Sequence, residues 1–182
     1  MLRVADNPPT VYPPGAALDG LSGRWWVAHT RSRFEKAFAG QLAGLEISYF
    51  LPMREVVRVS GGRKRRLLAP LFPGYVFFCG PEEDRYRALA THRLCQALPV
   101  PEQDRLVENL LHVQKALEGK APLEPYPFAA VGRRCRVTAG PFRGIEGVVV
   151  RRDRLHRLVL EVKMLGQGAW FEVEGDLLEP AD

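Results

Sequence analysis

Pro70-Leu71-Phe72-Pro73-Gly74-Tyr75-Val76-Phe77-Phe78 is an apolar strand entered through a Pro-Gly turn, with aromatic residues on both alternating faces. Outward from it, the next informative stretch is Val137-Thr138-Ala139-Gly140-Pro141-Phe142-Arg143-Gly144-Ile145-Glu146-Gly147-Val148-Val149, which reads as strand, glycine-rich turn, strand. In this order the two segments predict a docking module tethered to a small β-barrel, and no catalyst.

Upstream, Arg24–Thr30 is an aromatic-rich strand. Ser32 or Thr30 can cap a helix from about Phe34 to Gly44, where Phe34, Ala37, Phe38, Gln41 and Leu42 fall at helical spacing. Tyr49–Val59 reads as a strand kinked at Pro52, and Ser60-Gly61-Gly62 as a turn. Leu71–Cys79 is expected to return against it as a hairpin whose long tip carries Arg63-Lys64-Arg65-Arg66. A helix over Glu82–Ala90, a strand over Leu94–Leu98 and a helix over Gln103–Leu117 follow, the last with Leu106, Leu110, Val113 and Leu117 in one stripe. The predicted class is α+β, an antiparallel sheet with flanking helices.

Residues 1–22, with Pro8, Pro9, Pro13 and Pro14 and no hydrophobic period, read as a disordered leader. The first domain is expected over 23–118 and a proline-rich linker over 119–130. From residue 131 short β-type stretches alternate with glycines. Five strands, Arg134–Thr138, Gly147–Arg152, Leu158–Lys163, Trp170–Val173 and Leu177–Glu179, predict a small SH3-like barrel over 131–182 with Val137, Val149, Leu160 and Trp170 in its core.

Of the 182 residues, 46% are hydrophobic and 26% charged, the balance of an ordinary globular chain. No apolar run approaches the roughly 20 residues that span a bilayer, and the N-terminus lacks the apolar core of a signal peptide. Cys79, Cys95 and Cys135 form no C-x-x-C pair, which suits a reducing cytoplasm. Between Arg24 and Arg66 ten Lys/Arg face three acids (Glu35, Glu46, Glu55), a distribution that points to nucleic acid or to a solvated basic surface. Enzymatic readings find no support. Cys79 and Cys95 sit in apolar strand-like stretches and read as buried, G-x-S-x-G is absent, and the four histidines lack metal-ligand spacing. No cofactor is expected.

The order Trp25-Trp26-Val27-Ala28-His29-Thr30, then Leu71-Phe72-Pro73-Gly74-Tyr75-Val76, then the Gly-Pro-Phe-x-Gly-x-x-Gly turn resembles the NusG family of transcription elongation factors, over about residues 24–182. The resemblance implies an N-terminal domain that binds the clamp of bacterial RNA polymerase beside the upstream fork. It also implies a C-terminal KOW barrel that recruits termination factor Rho or a ribosomal protein, in a cytoplasmic monomer. The short linker Leu123-Glu124-Pro125-Tyr126-Pro127 and the Pro-Leu-Phe-Pro entry resemble a specialised, operon-specific RfaH-type paralogue. That type carries a His-Thr-Thr motif after the hairpin, where this chain has Pro81-Glu82-Glu83-Asp84-Arg85-Tyr86. A ribosome-associated or RNA-binding KOW protein is the alternative.

By the resemblance, His29, Phe72, Pro73, Tyr75 and Phe77 form the polymerase-binding patch. Alternation puts Tyr75 and Phe77 on one face of their strand, so that either this set or Val76 and Phe78 is core; the competing reading makes all of them core. Arg31, Arg33 and Lys36 match positions facing non-template DNA, or else are solvent-facing helix charges; Arg63, Lys64, Arg65 and Arg66 are placed to meet upstream duplex DNA, or else form a merely solvated loop tip. Phe142, Met164 and Leu165 match the KOW partner-binding positions, or else plug the end of the barrel.

Overall fold

The computed structural model describes residues 6–126, 132–152 and 155–181. The chain divides into two compact units, Met1–Gln103 and Asp104–Asp182. The α+β class holds, with antiparallel strands throughout both units.

The first unit runs β1 (Val11–Tyr12), β2 (Arg24–Thr30), α1 (Glu35–Gly44), β3 (Ser48–Phe50), β4 (Met53–Ser60), β5 (Arg63–Pro70), β6 (Tyr75–Gly80), α2 (Glu82–Leu89) and β7 (Leu94–Pro99). Five of these strands form one sheet in the order β1-β3-β6-β2-β7. The aromatic strands β6 and β2 sit at its centre, where neighbours on both sides pair their backbone groups. On one face Trp26, Ala28, Tyr49, Val76 and Phe78 join Phe38 and Leu42 of α1 and Ala88 of α2 in a single buried cluster. Burial there pushes the Tyr49 hydroxyl up to about 12, with Tyr12 adding to the effect. Phe38 meets Phe78 edge-on at 6.2 Å. Helix α1 stops at Gly44: the Leu45 N–H still reaches back to the Gln41 oxygen, and Glu46 then turns to a left-handed φ of 59°.

The leader is ordered where it is described, against expectation. Val11 pairs with Phe50 and Tyr12 with Tyr49, the Leu51 N–H donates to the Thr10 oxygen at 2.7 Å, and Leu18 is fully buried. A two-residue strand is too short to show a period, and an edge position tolerates the surrounding prolines. Residues 1–5 lie outside the described residues.

Pro52 does more than kink its strand. β3 belongs to the five-stranded sheet, whereas β4 leaves it and pairs only with β5, Met53 opposite Pro70 through Ser60 opposite Arg63. The basic run is therefore in a strand and not on a loop tip. The two-residue turn Gly61-Gly62 has φ of 57° and 73°, the double positive-φ geometry that glycine supplies at low cost. The expected return strand Leu71–Cys79 begins only at Tyr75 and pairs with β2 and β3, so the hairpin partner of β4 is β5.

The second unit holds most of α3 (Gln103–Glu118) and then β8 (Glu124–Tyr126), β9 (Arg133–Val137), β10 (Glu146–Arg152), β11 (Leu155–Val162), β12 (Gln167–Val173) and β13 (Leu178–Pro180). Leu106, Leu110 and Val113 of α3 are buried, as the stripe predicts, with Ala116 beside them. The sheet order is β13-β9-β10-β11-β12-β8. A sixth strand thus joins the five expected. Glu124–Tyr126, read as linker, pairs with β12 at Gly168–Trp170, which removes the short linker as a ground for the specialised sub-assignment; residues 127–130 lie outside the described residues. Val137, Ile145, Leu158, Leu160, Val162, Ala169 and Phe171 are buried. Val149 and Trp170, expected among them, are only half-buried; alternation sends Trp170 to the opposite face from Phe171, where the Arg157 guanidinium lies 3.9 Å from its ring centroid.

Candidate functional site

At the end of the first sheet, the β2–β6 register puts His29 opposite Tyr75, and their rings stack at 5.2 Å. Gly74, with φ of 86°, turns the chain into β6. Its N–H donates to Glu35 Oε1 at 2.7 Å and its oxygen accepts the Thr30 N–H at 2.8 Å. Glu35 is a buried carboxylate, and the bond to Gly74 gives it a backbone partner there. The first turn of α1 thereby clamps the turn that presents Pro73, Gly74 and Tyr75. Pro73 is exposed; His29 and Tyr75 are half-buried.

Phe72 and Phe77, predicted for the same surface, are not on it. Phe72 is 1% exposed and Phe77 fully buried, meeting edge-on at 6.0 Å, with Phe50 also against Phe77. The sheet buries both faces of β6, since Val76 and Phe78 are fully buried as well. Alternation alone could not foresee a strand without a free face. The apolar patch therefore contracts to His29, Pro73 and Tyr75.

Arg31 and Arg33 are exposed beside it, Arg33 with a left-handed φ of 65°. Lys36 is different. Its ammonium donates to the Leu68 oxygen at 2.5 Å, tying α1 to the base of the β4–β5 ribbon, and burial lowers its pKa against the opposing pull of Glu35. A further cation enters this end from far away in sequence. Arg93 lies 4.8 Å over the Phe34 ring, and its backbone oxygen accepts the Arg31 N–H at 3.0 Å. The pairing of β2 with β7 (Thr30 opposite Leu94) brings it there. Only the strand pairing, and no local motif, signals its place.

Along the ribbon Arg63, Lys64, Arg65 and Arg66 are all exposed. Val57 and Val59 are 58% and 67% exposed. Arg66 pairs with Glu55 at 3.3 Å.

In the second unit Phe142 is half-buried, edge-on to Phe171 at 4.9 Å and packed against Gly119, where an added Cβ would meet the ring at 2.8 Å. Met164 and Leu165 are half-buried in a single 3-10 turn, Lys163–Leu165, closed by Gly166. One face of α3 is bonded to the barrel. Glu108 pairs with Arg134 at 3.3 Å, Asn109 Oδ1 accepts the Lys163 N–H, His112 Nδ1 accepts the Glu146 N–H, and Lys115 donates to the Arg143 oxygen. Burial lowers the His112 pKa below its usual 6.5, against the opposing pull of Glu146 and Glu108 and with the help of Arg134 and Lys115. Hydrogen bonds from Arg136 and then Arg134 hold the Glu146 carboxyl below its usual range, partly offset by desolvation. Among the described residues, Glu108, His112 and Glu146 each place a donor atom within 4.8 Å of the others. The Arg134 guanidinium contacts both carboxylates and disfavours a cation between them.

The thiols divide. Cys79 and Cys135 are buried, and burial with nearby Asp84 pushes the Cys79 thiol up to about 11. Cys95, expected to be buried, is exposed; on its strand, β7, Leu94 and Ala97 are the buried residues.

Residues 23–123 match the family model described as transcription termination factor nusG, and residues 131–161 match the KOW motif. The chain is 29% identical over 179 residues to the transcription termination/antitermination protein NusG of Vibrio vulnificus (strain CMCP6), covering 87% of this chain and 96% of that one. It is 28% identical over 177 residues to the protein of the same name from Pseudomonas aeruginosa, covering 87% and 99%. To that of Escherichia coli (strain K12) it is 26% identical over 181 residues, covering 87% and 96%. Among the described residues no helix is long and apolar enough to cross a membrane.

Proposed function

The chain belongs to the NusG family of transcription termination and antitermination factors, and we propose that it binds the clamp of bacterial RNA polymerase through the surface formed by His29, Pro73 and Tyr75. The observation that carries this reading is the His29–Tyr75 stack, next to a turn whose backbone is fixed by the bonds of Gly74 to Glu35 and Thr30. Two rings already stacked on each other lose less side-chain entropy on docking than free ones and offer an aromatic contact area. Arg31, Arg33 and Arg93 flank the stack and face non-template DNA in this reading. Phe34 beneath Arg93 supplies the aromatic platform that single-strand contacts use. Lys36 positions α1, its ammonium being bonded to the Leu68 oxygen. The barrel recruits a ribosomal protein or Rho through the half-buried Met164, Leu165 and Phe142.

Capture of core RNA polymerase by the tagged full chain tests the reading. His29→Ala with Tyr75→Ala is expected to lower capture at least tenfold while leaving the far-UV spectrum and unfolding midpoint close to wild type. Undiminished capture by this folded variant refutes the surface. Wild-type binding to ribosomes without polymerase binding would install the RNA-binding alternative.

A further inference from the structure

The ribbon's register sorts its cations onto two unlike faces. Residues directly opposite across an antiparallel pair share a face, and alternate residues on one strand change face. Val57 is opposite Arg66 and Val59 opposite Lys64, so these four share one side, together with Glu55. Arg58 is opposite Arg65, and Arg63 is two residues on, so these three share the other. The single acid lies on the valine side and is spent on Arg66 at 3.3 Å. Among the described residues, Arg58, Arg63 and Arg65 have no acidic partner, and all three are exposed. Like charges directly opposite destabilise a strand pair. Here a two-stranded ribbon keeps such a pair with no internal anion to relieve it.

We infer that the Arg58–Arg63–Arg65 face is a docking surface for the phosphate backbone of duplex DNA, with Lys64 and Arg66 turned away from it. Charge complementarity selects a polyanion. Neither Met53–Ser60 nor Arg63–Pro70 contains an aromatic residue, which removes the stacking platform that single strands use. A two-stranded β-ribbon fits the major groove of B-form DNA, whereas the deep, narrow groove of an RNA helix excludes it. The inference rests on the reading that the basic run faces DNA. It adds Arg58, which lies outside the run, and removes alternate members of the run.

Fluorescence anisotropy of the full chain with a short labelled DNA duplex of mixed sequence, measured across a salt series, is the test. Arg58→Ala with Arg65→Ala and Lys64→Ala with Arg66→Ala each remove two positive charges, so only sidedness separates them. The first pair is expected to lower affinity roughly tenfold at low salt and to reduce the log–log salt slope by about 1.8. The second is expected to change affinity less than about twofold. The first pair should also leave the unfolding midpoint unchanged or raised, since it removes a repulsion. Equal losses from both pairs, no loss from either, or tighter binding to a matching single strand or RNA duplex would overturn the assignment, as would a lowered midpoint. Free duplex is read without polymerase, so failure here is distinct from failure of the clamp surface, which shows only in polymerase capture.

Discussion

β6 and the β4–β5 ribbon are neighbours in sequence, separated only by the turn Leu71–Gly74, yet their surroundings are opposite. β6 lies between β3 and β2 and buries both faces, so that Val76, Phe77 and Phe78 are all inside. The ribbon pairs only with itself; Met53 and Leu68 at its base pack on the core, but farther out even Val57 and Val59 meet solvent. Aromatic content therefore marks the interior here, and sparse valines among arginines mark the surface. The accessible part of the aromatic segment is its start, where Pro73 and Gly74 turn into the sheet and Tyr75, the first residue of β6, is only half-buried.

The comparison can be broken most sharply at Phe77. Truncation to alanine should cost about 3–5 kcal/mol, read as a lowered denaturation midpoint. Phe72→Ala should behave alike, so lost polymerase capture in either variant would report unfolding and not docking. A loss of less than about 1 kcal/mol at Phe77 would show that β6 has a free face after all.

Gly74→Ala is expected to cost about 1–2 kcal/mol. The strain is in the backbone: an added Cβ lies 3.7 Å from His29 Cδ2, an ordinary contact, whereas φ of 86° disfavours any L side chain. Chemical denaturation gives the cost, and His29 ring shifts in NMR report whether the stack moves with it.

A smaller, pH-graded effect belongs to the second unit. The packed unit holds His112 below 6.5, so its contribution is complete above about pH 6.5 and is lost as pH falls through the lowered folded value. The depressed Glu146 contributes above about 4.5 and is lost only at more acid pH. Denaturation midpoints between pH 7 and 5 should fall for wild type and stay flat for His112→Gln. Parallel curves would remove His112 from the helix–barrel contact. Smallest of all, Val57→Ser with Val59→Ser should change stability by less than about 0.5 kcal/mol each in the same denaturation assay, because neither side chain is packed.

Sequence reading succeeded where a pattern is local. The bounds of β2, α1, α2 and α3 lie within a residue or two of expectation, because apolar spacing acts over one or two turns. The expected Ser32 or Thr30 cap does not form, and Phe34 stands at the N-cap of α1 with no side-chain bond. It failed where partners are distant. Leu18 and Val11 gain burial only from the folded sheet, and Glu124–Tyr126 becomes a strand only because β12 offers an edge. Arg63–Arg66 looks like a solvated loop, and its strand is dictated by the Gly61-Gly62 turn and by β4. Of the candidate surface, the resemblance supplies His29 and Tyr75 and only the structure shows them opposite one another; Arg93 has no local signal, and Phe72 and Phe77 are misplaced because alternation cannot count how many layers cover a sheet.

The single bond from Lys36 to the Leu68 oxygen has a mechanical meaning. Eight residues of strand reach about 26 Å, so the ribbon is a lever whose base is seated by the packing of Met53 and Leu68 and braced from α1 by one ammonium. A tilt of about 10° there would swing the tip through roughly 5 Å. Neutralising that amine would loosen the aim of every charge farther out without touching any of them.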